Sequence, residues 1–202
     1  TLRGPNNALP SDYTAPQAYR TAVPVELYSS TYVAEQTQAY LDDHVANHAD
    51  QPFFIFASFP DPHHPFTPPG KYWDMYDPAD VKLPASFPAD GQPNNPLAQW
   101  VHGKRGPDAE SRWGPAVAGI SEKEAREALA LTYGMITMVD DMVGEIIDKL
   151  EALGLTEDTV VVFTSDHGDF QAAHGLIFKG PFHVDNVVRV PFIWTDPKNP
   201  SA

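Results

Sequence analysis

Thr159-Val160-Val161-Val162-Phe163-Thr164-Ser165-Asp166-His167-Gly168-Asp169 is a β-branched apolar run that stops abruptly in side chains able to bind a metal. Val160 to Phe163, apolar at every position, predict a strand buried on both faces, of the kind found inside an α/β sheet. In open sheets of that kind, ligands bind in the crevice beyond the carboxyl ends of the strands. Asp166 and His167 fall at such an end, and carboxylate and imidazole both ligate divalent ions. An ordinary polar turn after a strand would also use Asp and Gly, so the pair gains meaning only from what surrounds it.

Upstream lies a second apolar run, Pro52-Phe53-Phe54-Ile55-Phe56-Ala57-Ser58-Phe59, whose length and aromatic content predict another buried strand. It empties into Pro60-Asp61-Pro62-His63-His64-Pro65-Phe66-Thr67-Pro68-Pro69-Gly70, a stiff proline loop that presents two histidines. Before it, Tyr32, Val33, Gln36, Ala39, Tyr40, Asp43 and His44 give a helical period from Thr31 to about Ala49. Between the two strands, Ser121 and Glu124 form a capping box. A long apolar stripe follows from Ala125 to Leu150, through Met135, Ile136, Val139, Val143, Ile146 and Ile147, with Gly154 as its stop. Met135, Met138 and Met142 read as packing side chains. Val187-Val188-Arg189-Val190-Pro191-Phe192-Ile193-Trp194 reads as a further strand.

Helix, strand, loop, helix, strand, loop, strand is an α/β order. If the two long strands run parallel, the histidine loop and the Asp166-His167 turn open on one rim of the sheet. Residues 1–30, with Pro5, Pro10, Pro16 and Pro24, are expected to be an extended lead-in. Residues 71–119, with Trp73, Trp100 and Trp113, are expected to be an irregular excursion that covers a pocket.

Composition narrows the function. The 202 residues suffice for one domain with a substantial core. Asp and Glu number 27 against 13 Lys and Arg, for a formal charge of −14, which disfavours a nucleic-acid partner. No apolar run approaches the ~20 residues needed to cross a bilayer. Cysteine is absent, so these residues form no disulfide, zinc–thiolate site or thiol nucleophile, and the compartment is left unmarked. The chain opens on Thr1 rather than Met, and is expected to be a piece of something longer. Lys179, in Phe178-Lys179-Gly180-Pro181, has small and rigid neighbours that could let its ammonium reach a cleft, although a lone lysine is by default a solvated charge. His63 and His174 share the default reading of surface loop histidines.

Taken together, Ser165-Asp166-His167-Gly168-Asp169, His174-Gly175-Leu176, Lys179 and Arg189-Val190-Pro191-Phe192-Ile193 resemble the late active-site region of the sulfatases, members of the alkaline phosphatase-like superfamily. Phe53-Phe54-Ile55, Pro62-His63-His64-Pro65 and Tyr72-Trp73-Asp74-Met75-Tyr76 are similar to the mid-chain strand and histidine loop of choline-sulfatase-like and arylsulfatase-like members. Tyr133-Gly134-Met135-Ile136 with Val139-Asp140-Asp141 and Val143-Gly144 resembles the helix before the metal strand. The resemblance runs from about Thr31 to Pro197.

It implies an α/β/α three-layer sandwich with a mostly parallel sheet, present incompletely, so that residues 1–202 form part of a sulfatase catalytic domain. It implies that Asp166 and His167 ligate a divalent ion, calcium in many relatives and manganese or a similar ion in phosphonate-hydrolase-like ones. It implies that His63 contacts sulfate and protonates the leaving oxygen, and that Lys179 binds a sulfate oxygen. His64 and His174 stay unassigned. The family's formylglycine arises within C/S-x-P-x-R, a segment this chain lacks, and the aspartates that complete the metal site have no convincing counterpart: Asp12, Asp42 and Asp43 sit in the wrong contexts. The chain is therefore expected to be a central-to-late portion that needs the remainder of its parent and is inert alone. A phosphonate or phosphate ester hydrolase of the same superfamily, or a degenerate binding domain, are the alternatives.

Overall fold

One long helix organises the chain. The computed structural model describes residues 4–90, 94–103, 117–180 and 182–199. Helix α3 (Glu122–Ala152) starts where its sequence says it should: Ser121 Oγ accepts the Glu124 N–H, and the Glu124 carboxylate accepts the Ser121 N–H at 2.8 Å. It ends at Gly154, whose φ of +69° allows the Leu155 N–H to reach back to the Leu150 carbonyl at 2.9 Å. Its first half is buried nearly all round, from Glu127 to Thr132, and its second half only along a narrow stripe. Leu129, Met135, Met138, Met142 and Leu150 are buried, whereas Ile136 and Ile147 lie exposed beside it. The three methionines are packing side chains, as expected. Helix α1 (Ser29–Asn47) lies alongside, and Tyr28, Ala34, Met138 and Met142 close the seam.

The lead-in is extended, with two two-residue strands, β1 (Ala8–Leu9) and β2 (Arg20–Thr21), and it is pinned to the core rather than loose. The Thr14 and Ala15 N–H groups donate to the buried Glu127 carboxylate at 2.8 and 2.9 Å, and Tyr13 stacks on Trp73 at 5.3 Å. The excursion is largely irregular in its described part, but it contains a helix that the sequence reading missed, α2 (Pro96–Gly103), and strand β3 (Val117–Gly119). Trp73 and Val81 of the excursion enter the main core with Phe66, Leu131, Met135 and Phe178. Residues 104–116, including the expected Trp113, fall outside the described residues.

Three strand expectations change. β4 (Val161–Thr164) forms, but its side chains are mostly exposed, not buried on both faces. Residues 53–59 are extended without belonging to any assigned strand: Phe53, Ile55 and Phe59 turn inward, and Phe54 and Phe56 stand 87% and 80% exposed. Val187 and Val188 lie in a single helical turn, α4 (Asp185–Val188), and strand β6 begins only at Phe192 (Phe192–Thr195).

The ladders also differ from a mostly parallel sheet. Among the described residues β1–β2, β3–β5 (β5, Leu176–Phe178) and β4–β6 all pair antiparallel, and the single bridge Ala18–Phe66 is parallel. Helices and short strands thus make an incomplete α/β arrangement, in which buried-strand sequences lack the neighbours that would cover them.

Candidate active site

The histidine loop is locked from beneath. Asp61 is buried and accepts hydrogen bonds from Ser30 Oγ, in the first turn of α1, and from the Tyr28 hydroxyl at 3.4 Å. The same hydroxyl lies 2.9 Å from the Thr67 carbonyl, so both ends of the loop are held by one corner of α1. The peptide bonds Asp61–Pro62 and His64–Pro65 are cis. His63 is exposed above this base, and its Nδ1–H donates to the His64 carbonyl at 2.5 Å.

The turn after β4 is self-wired. Asp166 Oδ1 accepts the His167 N–H at 2.9 Å, and Ser165 Oγ donates to the His167 carbonyl at 2.9 Å. His167 Nδ1–H donates to the Gly168 carbonyl at 2.9 Å, and Nε2 lies 3.4 Å from Asp166 Oδ2. One carboxylate oxygen and one imidazole nitrogen are therefore brought together as a two-donor pair. Partial burial works against the Asp166 charge, but the His167 N–H and imidazole hold its carboxyl below the usual value. Gly168 is required by a close approach: its N–H donates to the Val187 carbonyl at 2.8 Å, and a Cβ there would meet the Asn186 carbonyl oxygen at 1.9 Å.

Downstream the chain returns to this turn. The Phe170 N–H donates to the Phe178 carbonyl at 2.8 Å, which sets Lys179 near the Asp166–Asp169 segment. Burial pushes the Lys179 ammonium down, opposed by the charges of Asp169 and Asp166. Burial pushes Asp169 up to about 6, against the Gln171 N–H, the Lys179 charge, the Phe178 N–H and the His167 charge. Asp169 had drawn no role from the sequence, although it closes the same motif. Gln171, Ala172, His174 and Phe178 all take positive φ, between +46° and +69°, so the return segment is strained as functional segments often are.

The two loops meet through rings. His64 lies 4.3 Å from the Phe178 ring, centroid to centroid, so the histidine loop touches the residue before Lys179. His174 is turned elsewhere, its Nδ1 3.1 Å from Asn94 Oδ1 and its N–H on the Ser86 carbonyl, where it ties the return segment to the excursion. A concavity lined by Pro78, Ala79, Glu122, Lys123, Arg126 and Glu127 includes none of these groups. Among the described residues no three His, Asp, Glu or Cys side chains gather closely enough to hold a metal ion by themselves. One carboxylate and one imidazole are donor types that could supply part of a divalent-ion site.

Comparison with known proteins bears on the family and the fold. The sulfatase family model matches residues 5–202. An arylsulfatase of Clostridium perfringens is 35% identical over 153 residues, 74% of this chain and 28% of that protein. A multifunctional alkaline phosphatase superfamily protein of Trinickia caryophylli is 30% identical over 178 residues, 86% of this chain and 34% of that protein. The crystal structure of the phosphonate monoester hydrolase of Agrobacterium radiobacter superposes with a TM-score of 0.74 at 26% identity, covering 97% of this chain and 39% of that one. The fold is that of the alkaline phosphatase-like hydrolases. Within that class the chain belongs to the sulfatase family. It spans about a third of the length of the relatives it matches.

Proposed function

We propose that this chain supplies part of the active site of a sulfuric ester hydrolase that cleaves a small sulfate monoester. The observation that carries the reading is the meeting of the histidine loop with the segment bearing Lys179 and the Asp166–His167 turn, through the His64–Phe178 ring contact and the Phe170–Phe178 hydrogen bond. In it, Asp166 and His167 hold a divalent ion together with donors from outside these residues. Such an ion supplies fixed positive charge toward the non-bridging oxygens. Lys179 binds one of those oxygens, and partial burial strengthens that contact relative to water. As the S–O bond breaks, His63 gives a proton from Nε2 to the departing alkoxide, while Nδ1–H stays on the His64 carbonyl. No residue here fits the formylglycine of the family, because the chain contains neither Cys nor a Ser in S-x-P-x-R. The nucleophile is therefore not assigned to any of these side chains, and the 202 residues are proposed to be inert alone.

The test is hydrolysis of 4-nitrophenyl sulfate by the full-length polypeptide that carries this chain. Lys179→Ala should lower kcat/KM by about a hundredfold, and a change of less than twofold would remove Lys179 from the site. A second reading, phosphonate or phosphate monoester hydrolysis, is favoured by the carboxylate–imidazole donor pair and by the likeness to the phosphonate monoester hydrolase. A wild-type preference for phenyl phosphonate over aryl sulfate would decide for it.

A further inference from the structure

Four aromatic rings run from the histidine loop to the strand that ends beside Lys179. His63 and His64 lie 4.1 Å apart with planes at 33°, His64 and Phe178 4.3 Å apart at 47°, and Phe178 and Phe66 6.0 Å apart at 17°. Phe178 is buried and holds φ at +69°, a conformation disfavoured for any L side chain, so its ring must be kept in place by its neighbours. Phe66 is buried in the main core, which makes that end of the run rigid. At the other end His63 is exposed, with Nδ1 committed to the His64 carbonyl. His64 is the ring that touches both His63 and Phe178.

The geometry points to His64 as a positioning residue: packed on both rings, it fixes the orientation of His63 relative to Lys179. The inference rests on the reading of His63 and Lys179 as groups that contact the ester. An exposed imidazole on a surface loop would otherwise sample several rotamers. Offset and tilted ring pairs hold preferred separations, so a flat ring of the right size is what this place needs. The basicity of His64 is not part of the requirement, and a phenyl ring should serve.

Three forms of the full-length polypeptide test this: wild type, His64→Ala and His64→Phe. On 4-nitrophenyl sulfate, His64→Ala should lower kcat about tenfold or more through misplacement of the proton donor, with KM changed by less than about threefold. His64→Phe should keep kcat within about threefold of wild type. Unchanged kcat in His64→Ala overturns the inference, as does a loss confined to KM, or a fall in His64→Phe as deep as in His64→Ala. Should His64→Ala not fold, His64→Leu replaces it under the same criteria.

A readout independent of turnover separates this inference from the functional reading. Nitrogen-15 NMR of the His63 ring should show Nδ1 protonated and hydrogen-bonded in wild type and His64→Phe, and a mixture of bonded and unbonded Nδ1–H in His64→Ala. The same Nδ1 state in all three overturns the positioning role even if the enzyme is active. If wild type cleaves no sulfate, phosphate or phosphonate ester, the functional reading fails, and the Nδ1 result still decides what His64 does.

Discussion

Gly168 carries the sharpest single-residue constraint near the candidate site. A Cβ there would stand 1.9 Å from the Asn186 carbonyl oxygen, and backbone cannot swing away as a flexible side chain can. Gly168→Ala should therefore part the Asp166 turn from α4 and cost about 2 kcal/mol or more, measured as a lower midpoint in urea. An unchanged midpoint would mean that the two segments are not in register. Tyr72 and Asp141 give a second test, through pH. The Tyr72 hydroxyl, itself pushed up by burial, donates to Asp141 at 2.7 Å. That bond holds the Asp141 carboxyl below its usual 3.8, against partial desolvation and with help from Lys71. A depressed carboxyl stabilises the fold above its unfolded pKa, and that share is lost as pH falls through the folded value. The melting-temperature gap between wild type and Tyr72→Phe should thus be full at pH 6 and shrink below about pH 4. A gap that stays constant with pH would show that the hydroxyl acts by packing.

Helix α3 was legible because its signals are local. Its capping box, 3.6-residue period and terminal glycine all lie along the chain, and the observed bounds, Glu122–Ala152, follow them. Ser121→Ala should cost about 1 kcal/mol, read from thermal or urea unfolding, and an effect below a few tenths would place the helix start elsewhere. The strands were legible only in part. Residues 53–59 have strand composition, but a strand exists through its neighbours, and none pairs with them among the described residues. Val187 and Val188 show the reverse failure: β-branched side chains read as strand, yet the Gly168 N–H bonds to the Val187 carbonyl and the local helical turn wins.

Across the molecule, those same segments leave apolar surface uncovered. Phe54, Phe56, Phe192, Ile193 and Trp194 are all more than half exposed. Large exposed apolar surface and unpaired extended backbone favour association, whereas a formal charge of −14 opposes it through repulsion. The 202-residue chain on its own should therefore associate increasingly as salt screens that repulsion, and Phe54→Lys with Phe192→Lys should reverse the trend. Sedimentation velocity at low and high ionic strength reads this out, and a monodisperse chain at both would contradict it. Among the described residues no helix is long and apolar enough to cross a membrane.

The residues alone determined that α1 and α3 are helical, where α3 starts and stops, and which motifs identify the sulfatase family, because capping, periodicity and motif spacing are properties of neighbouring positions. Tertiary structure alone decided that Asp169 joins the Lys179 neighbourhood, that His64 touches Phe178, that His174 turns toward Asn94, and that β4 pairs antiparallel with β6. Each of those depends on contacts between segments far apart in the chain. Such contacts form when burial and hydrogen bonding outweigh the entropy of closing the loop between them, a balance that no local pattern records.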